Sequence, residues 1–203
     1  ASQEFLEGVR ALCDEHDALL ILDEIQCGMG RTGAMFAWQK YGVKPDVMTV
    51  AKALGNGVPI GAFLAWGKAS ACLVPGDHGT TYGGNPFVCA AAAKVLDIFE
   101  SRNLTAHAEE MGAYLWEKLE ELKKSFPQIC DHRGMGLIQG LEFSVPVGPI
   151  VSNALLKQKL VLITAGNKVI RFVPPLIIRK EHVDEMAEKL RKAIEETQEK
   201  GNV

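Results

Sequence analysis

The pattern of hydrophobic positions divides the chain into an earlier part with short apolar runs and a later part with long amphipathic helices. Continuous apolar runs occupy residues 18–22, 47–51 and 60–65. Such runs are typical of strands buried on both faces, as in a parallel sheet. Before them, apolar residues at helical spacing predict an amphipathic helix over residues 3–16. This part is therefore predicted to be a mostly parallel sheet with helices.

After Pro86 the hydrophobic period becomes that of helices. The later elements are an Ala-rich helix, a long second helix with an apolar face, two groups of short strands and a last helix, predicted at 88–99, 104–122, 129–143, 160–173 and 183–194. We predict that residues 1–100 form the later portion of an α/β sheet domain. Residues 101–203 are predicted to form a smaller α+β domain.

Composition narrows the function classes. The 203 residues carry a net charge of −3 with no basic stripe, which argues against a nucleic-acid partner. No apolar run reaches the roughly 20 residues of a membrane span, and no signal peptide is expected. Five scattered cysteines without a CxxC pair predict reduced thiols in the cytoplasm. His78 and His132 are predicted to be loop residues, and no metal site is expected.

Two of the predicted strands end at a charged residue, Asp23 and Lys52. Ligands of α/β sheets gather at the carboxyl ends of strands. A carboxylate there can pair with a cationic ring nitrogen, and a partly desolvated lysine can act as an amine nucleophile. On spacing alone, the more ordinary interpretation is that Asp23 caps a turn and Lys52 is solvated.

Three motifs around these residues change that interpretation. Residues 22–33 (LDEIQCGMGRTG), 49–62 (TVAKALGNGVPIGA) and 78–86 (HGTTYGGNP) resemble, in order, the cofactor-ring, lysine and phosphate motifs of class III aminotransferases. The resemblance continues to residues 169–176 (VIRFVPPL). It implies a pyridoxal-phosphate (PLP) enzyme of fold type I, with residues 1–100 belonging to its large domain.

The resemblance also implies roles for individual residues. Asp23 matches the aspartate that pairs with the pyridine nitrogen, and Lys52 matches the lysine that forms the Schiff base and moves the substrate proton. Gln26 matches the residue that hydrogen-bonds the phenolic oxygen of the cofactor. Ile25 is expected to pack on a ring face. Glu24 belongs to the same cofactor-binding tetrapeptide, where it orients the loop.

Further matches concern the substrate and the partner subunit. Thr81 matches the phosphate contact that this family gives to the cofactor of the neighbouring subunit, and Thr80 matches a substrate contact. Arg171 matches an arginine that recognises a substrate carboxylate; a surface strand arginine is the alternative. A homodimer with a site shared across its interface is therefore expected.

Within the class, residues 162–168 (LITAGNK) look most like the acetylornithine branch. That branch transfers the δ-amino group of N2-acetylornithine to 2-oxoglutarate in arginine biosynthesis. The ornithine, succinylornithine and 4-aminobutyrate branches remain alternatives, as do PLP decarboxylases and aminomutases.

Length sets a further expectation. Class III chains are normally about twice as long, and their earlier half supplies a phosphate cradle, a stacking aromatic residue and another arginine. The first residue is Ala1 and not Met, so we expect a fragment or a processed product. Alone, it is predicted to bind PLP weakly and to turn over poorly. A truncated, non-catalytic chain is the alternative from another function class.

Overall fold

A computed structural model of the protein describes residues 1–201 and divides the chain into two compact units. The first unit comprises residues 1–105, and the second begins at Ala106. This division lies five residues after the predicted domain boundary at residue 100, which falls inside a helix. The boundary therefore follows the end of that helix.

The first unit is built around a three-stranded sheet. Its helices and strands are α1 (Gln3–Glu15), β1 (Ile21–Asp23), α2 (Trp38–Tyr41), β2 (Val47–Val50), β3 (Ala62–Ala65) and α3 (Pro86–Ser101). Two 3-10 turns, Lys52–Leu54 and Gly67–Ala71, follow β2 and β3. Strand β2 lies in the middle, parallel to β1 and antiparallel to β3. The sheet is therefore mixed, with one parallel pair.

Burial in the first unit differs from the sequence expectation. Met48 and Val50 of β2 are buried, but Ile21 of β1 is 59% exposed and Phe63 of β3 is 49% exposed. The predicted amphipathic helix is present as α1, and none of its residues is buried. The prediction of strands covered on both faces is therefore wrong for β1 and β3. A strand is buried only where other elements pack on its faces. The apolar run of the strand itself does not specify which elements those are.

Asp46 fixes the amino ends of β1 and β2. Its Oδ2 accepts hydrogen bonds from Arg10 Nη1 of α1 and from the backbone N–H of Leu20, both at 2.8 Å. The hydrogen bond from Arg10, supported by that from Leu20, lowers the pKa of the Asp46 carboxyl below its usual value. One side chain thus joins α1 to the start of both parallel strands.

The second unit is an antiparallel sheet covered by helices. Its helices and strands are α4 (Leu104–Ser125), whose first two residues precede the division, β4 (Ile129–Met135), β5 (Ile138–Phe143), α5 (Gly148–Leu156), β6 (Ile163–Ala165), β7 (Val169–Phe172) and α6 (Lys180–Gly201). The strand order is β4-β5-β7-β6. The predicted apolar stripe of α4 is buried, as are Val183, Leu190 and Ile194 of α6. These faces were predicted correctly because this unit contains the sheet that covers them.

A buried polar network joins α4 to the β4–β5 hairpin. Gln139 Nε2 donates to the carbonyl oxygens of Gly112 and Gly136, so its Oε1 accepts from His132 Nε2 at 3.1 Å. The other ring nitrogen of His132 lies 2.6 Å from Glu120 Oε1. His132 therefore lies in β4 and not in a loop, and the sequence prediction for it is wrong. A lone histidine carries no sequence signal for partners on another element.

We expect Asp46→Asn to destabilise the chain by about 1–3 kcal/mol at neutral pH, because it weakens two hydrogen bonds to a charged acceptor. Since the folded pKa of Asp46 is depressed, its contribution is complete above the unfolded value of about 3.9 and is lost as pH falls through the lower folded value. Urea unfolding from pH 7 to pH 2.5 measures this.

The control for Asp46 is Asp97→Asn on α3, whose exposed side chain lies 3.7 Å from Lys94 Nζ. It is expected to change stability little at any pH. A difference between wild type and Asp46→Asn that stays constant down to pH 2.5 contradicts the prediction.

Two helical glycines are expected to respond in opposite directions to alanine. A Cβ at Gly112 in α4 lies 2.5 Å from backbone atoms of Gly136, so Gly112→Ala forces the helix from the hairpin and costs about 1–3 kcal/mol. A Cβ at Gly8 in α1 meets nothing within 4 Å, so Gly8→Ala stabilises by about 0.5–1 kcal/mol. Urea unfolding of the two variants measures both. Equal stability of Gly112→Ala and wild type contradicts the first expectation.

Candidate active site

The carboxyl ends of the parallel strands bring Asp23 and Lys52 to one edge of the sheet. Asp23 is the last residue of β1 and is paired in register with Thr49 of β2. Neighbouring strands are about 4.8 Å apart. Lys52 follows Thr49 by three residues, so its Cα lies within about 11 Å of the Thr49 Cα. Both charged residues are exposed at this edge.

The Asp23 carboxylate is partly committed to the backbone. Its Oδ1 accepts the N–H of Ile25 at 2.8 Å, which turns the chain sharply after β1. Among the described residues, no hydrogen bond to its other oxygen is found. Asp23 thus caps a turn, as the ordinary interpretation had it, and also presents a free carboxylate oxygen to solvent.

Lys52 adopts an unusual backbone conformation. Its φ is +46°, in the left-handed region that costs an ordinary residue about 1–2 kcal/mol. It begins the 3-10 turn Lys52–Leu54, which α3 contacts. The chain after this turn is closely packed. A Cβ at Gly55 would lie 2.0 Å from the Val58 carbonyl oxygen, so a residue with a side chain does not fit there. Lys52 is therefore presented at a turn and not along a strand.

In the tetrapeptide of residues 23–26, which was predicted to bind the cofactor, Gln26 is exposed and Ile25 is half-buried. Glu24 differs, because it is only 2% exposed and its carboxylate faces inward. Glu24 Oε1 accepts from Trp38 N and Oε2 from Ala37 N, each at 2.9 Å. Sequence reasoning missed these partners, which lie beyond a loop whose path no local motif specifies.

Cys27 completes this inward cluster. Its Sγ lies 3.4 Å from both the Asp23 carbonyl oxygen and Glu24 Oε2. Burial, followed by the nearby Glu24 carboxylate, raises the pKa of the Cys27 thiol to about 12. At neutral pH the thiol is thus a protonated donor and not a nucleophile.

Thr80 and Thr81 lie in an exposed segment before α3. Thr80 Oγ1 accepts the N–H of Gly83 at 3.0 Å, and Asn85 caps α3 by accepting from Val88 N. The two hydroxyl groups belong to the same unit as Lys52. The turn interpretation of this segment is supported, and both threonines remain open to a ligand.

Arg171 belongs to β7 in the second unit, between Gly140 of β5 and Ile163 of β6. It is half-buried, and its Nε is buried without a hydrogen-bond partner among residues 1–201. It lines an apolar cleft of about 360 Å³ with Phe172 and Pro174. A guanidinium in such a cleft suits a carboxylate ligand.

No group of three or more His, Cys, Asp or Glu side chains within residues 1–201 is arranged to hold a metal ion. In the same residues no helix combines the length and apolar character that crossing a membrane requires.

We expect Lys52→Gly to be more stable than Lys52→Ala by about 1 kcal/mol, because glycine adopts φ +46° without a Cβ penalty. The exposed side chain makes both truncations otherwise equivalent. At Lys94, inside helix α3, the order is reversed, and glycine is worse than alanine by about 1 kcal/mol. Urea unfolding of the four variants measures this. The same order at both positions contradicts it.

Comparison with known proteins covers almost the whole chain. The family model of class III aminotransferases matches residues 1–194. The acetylornithine aminotransferase of Clostridium acetobutylicum is 49% identical over 91% of this chain and 48% of its own length. That of Aquifex aeolicus is 46% identical over 96% of this chain and 50% of its length. The chain thus spans about half the length of these relatives.

Solved structures agree with this assignment. An ornithine aminotransferase from Plasmodium yoelii superposes with a TM-score of 0.90 at 36% identity, over 97% of this chain and 53% of that one. An N-acetylornithine aminotransferase from Stenotrophomonas maltophilia K279a gives 0.84 at 41% identity, over 96% and 51%. The predicted fold class, a partial fold-type-I large domain followed by a smaller domain, is confirmed. The chain belongs to the class III aminotransferases, which use pyridoxal phosphate as their cofactor.

Proposed function

We propose that this chain forms part of an acetylornithine transaminase, which transfers the δ-amino group of N2-acetylornithine to 2-oxoglutarate and yields N-acetylglutamate semialdehyde and glutamate. Such a reaction belongs to arginine biosynthesis in the cytoplasm. The observation that carries the proposal is the placement of an exposed amine, Lys52, and a free carboxylate oxygen, on Asp23, at one edge of a parallel strand pair. Relatives of 43–49% identity bear the acetylornithine aminotransferase name.

The donor set fits pyridoxal phosphate. The cofactor, when bound, supplies an electron sink for the carbon that loses its proton. The free oxygen of Asp23 is suited to accept a hydrogen bond from a protonated ring nitrogen and to keep it charged. Gln26, exposed three residues later, offers an amide N–H to a phenolic oxygen. Ile25 offers a branched apolar surface to a ring face.

Lys52 is the residue that would hold the cofactor covalently and move the substrate proton. Its Nζ is a primary amine on a flexible stem, and the side chain is exposed at the turn that follows β2. As a free amine, Nζ takes up the substrate proton and returns it to the neighbouring reacting carbon. One residue thereby serves both halves of the amino-group transfer.

The remaining residues act on charged groups. Thr81 is assigned the phosphate of the partner subunit's cofactor, and the protein is accordingly proposed to be a homodimer with a shared site. The Thr80 hydroxyl already accepts from Gly83, so its own proton stays available to the amino substrate. The Arg171 fork, with its unpartnered Nε, is assigned a substrate carboxylate.

Ornithine is the second candidate donor. Solved ornithine aminotransferases match this fold with TM-scores of 0.89–0.90, at 31–36% identity. Sequence identity to proteins named for acetylornithine is higher, at 41–49%, which favours acetylornithine. A non-catalytic role of the isolated chain is the other candidate, because it covers about half of these relatives.

A visible absorbance band tests the cofactor assignment. The full-length protein with PLP is expected to show the band, to lose it on treatment with borohydride, and to lack it in Lys52→Ala, because the amine is the point of attachment. Lys94→Ala is the matched control and keeps the band. Absence of the band in the full-length wild type refutes the proposal.

Mass spectrometry of product formation from acetylornithine, ornithine, succinylornithine and 4-aminobutyrate then identifies the donor, with acetylornithine expected to give the highest kcat/KM.

A further inference from the structure

Glu24 is a buried carboxylate beside the exposed Asp23, and the proposed chemistry gives it no task. Because side chains alternate along an extended chain, Asp23 faces solvent and Glu24 faces the interior. Its two oxygens accept the successive backbone N–H groups of Ala37 and Trp38, each at 2.9 Å. With 2% of Glu24 exposed, its carboxylate is bound within the protein by these two N–H groups and by the Cys27 thiol, 3.4 Å from Oε2. It is not available to a cofactor.

The backbone of Glu24 is fixed on both sides as well. Its N–H donates to the Thr49 carbonyl oxygen at 3.0 Å, which extends the parallel ladder beyond Asp23. Its carbonyl oxygen accepts from Gly28 N at 2.9 Å, and a Cβ at Gly28 would lie 2.6 Å from that oxygen. Glu24 is therefore bonded to β2, to the start of the Gly-rich loop and to its end.

These bonds determine the setting of the proposed cofactor contacts. The loop of residues 25–36 leaves and returns at Glu24, and it carries Ile25 and Gln26. The Asp23 carboxylate is oriented by the N–H of Ile25, which belongs to the same loop. A loop that is held less firmly changes the direction of the Ile25 N–H, and the free oxygen of Asp23 then changes its direction as well.

We propose that Glu24 is a positioning residue: its buried carboxylate, bound by the N–H groups of Ala37 and Trp38, fixes the orientation of Asp23 and does not itself contact the cofactor. This inference rests on the proposed function. It keeps the loop-orienting task that the sequence expectation gave Glu24 and replaces the expected cofactor contact with an effect on Asp23.

Two other roles make different predictions for Glu24. A direct cofactor contact requires an accessible carboxylate, which its burial contradicts. A purely structural role lowers stability and occupancy but leaves the electronic state of the bound cofactor unchanged. A positioning role alters the hydrogen bond between Asp23 and the ring nitrogen, and the pH titration of the visible absorbance band reports that bond.

The experiment compares Glu24→Gln with Asp46→Asn in the full-length protein bound to PLP. Both replace a carboxylate of the first unit that accepts two N–H donors, but Asp46 lies at the amino ends of β1 and β2 and Glu24 at the carboxyl ends. The glutamine amide places an NH2 group against a backbone N–H. Hydrogen exchange at the Ala37 and Trp38 amides is expected to accelerate about tenfold or more in Glu24→Gln only.

The cofactor readouts decide between positioning and structure. In Glu24→Gln we expect the midpoint of the absorbance titration to shift and PLP affinity to fall about tenfold or more, whereas Asp46→Asn lowers Tm with an unchanged midpoint. If Glu24→Gln does not fold, Ala37→Pro replaces it, because φ −60° at Ala37 already suits proline and the variant deletes one donor while keeping the Glu24 charge. It is expected to shift the midpoint in the same direction.

The outcomes separate the two proposals. A wild-type band with the same titration midpoint in Glu24→Gln overturns the positioning role and leaves the proposed function standing. A midpoint shifted equally by Asp46→Asn also overturns it. No band in the wild type overturns the proposed function, and the positioning role with it.

Discussion

The parallel pairing of β1 with β2 is the constraint on which the candidate site depends. It places Asp23 beside Thr49 and, through the short turn after β2, brings Lys52 to the same edge. Asp46 fixes the amino ends of this strand pair, and the N–H of Glu24 extends its ladder at the carboxyl ends. Because parallel strands need a crossover connection, the Gly-rich loop and α2 between them are part of the same construction.

Two carboxylates at this edge differ in exposure, because Glu24 is buried and Asp23 is exposed. Glu24 satisfies two backbone donors in a place that water does not reach, so its charge serves the loop. Asp23, one residue earlier, accepts the N–H of Ile25 with one oxygen, and its other oxygen is open to a ligand. Successive side chains of an extended chain point to opposite faces, so the buried Glu24 and the exposed Asp23 can be neighbours in sequence.

The sequence predicted the second unit better than the first, for a physical reason. Leu115 and Leu119 of α4 are buried because the sheet that covers them lies in the same unit, so the helical stripe was sufficient evidence. Ile21 and Phe63 have the same apolar character, yet they are exposed, since their burial depends on what covers the sheet. Helix α5, unlike the other long helices, was not predicted: it begins at Gly148-Pro149, and its apolar residues show no clear one-sided stripe.

The chemistry of the site followed a similar division between local and distant information. Lys52 and Asp23 became candidates because each ends an apolar run, and the motifs around them supplied the roles proposed for them; both signals are contained within a few residues. The left-handed backbone of Lys52 and the two N–H donors to Glu24 were not predicted, because hydrophobic periodicity encodes neither a backbone angle at a turn nor the path of the loop that brings Ala37 and Trp38 to Glu24. A residue at positive φ, as Lys52 is, is held by its surroundings and not by its own conformational preference. The residues that hold such turns are therefore as much a part of the candidate site as the groups proposed to meet the ligand.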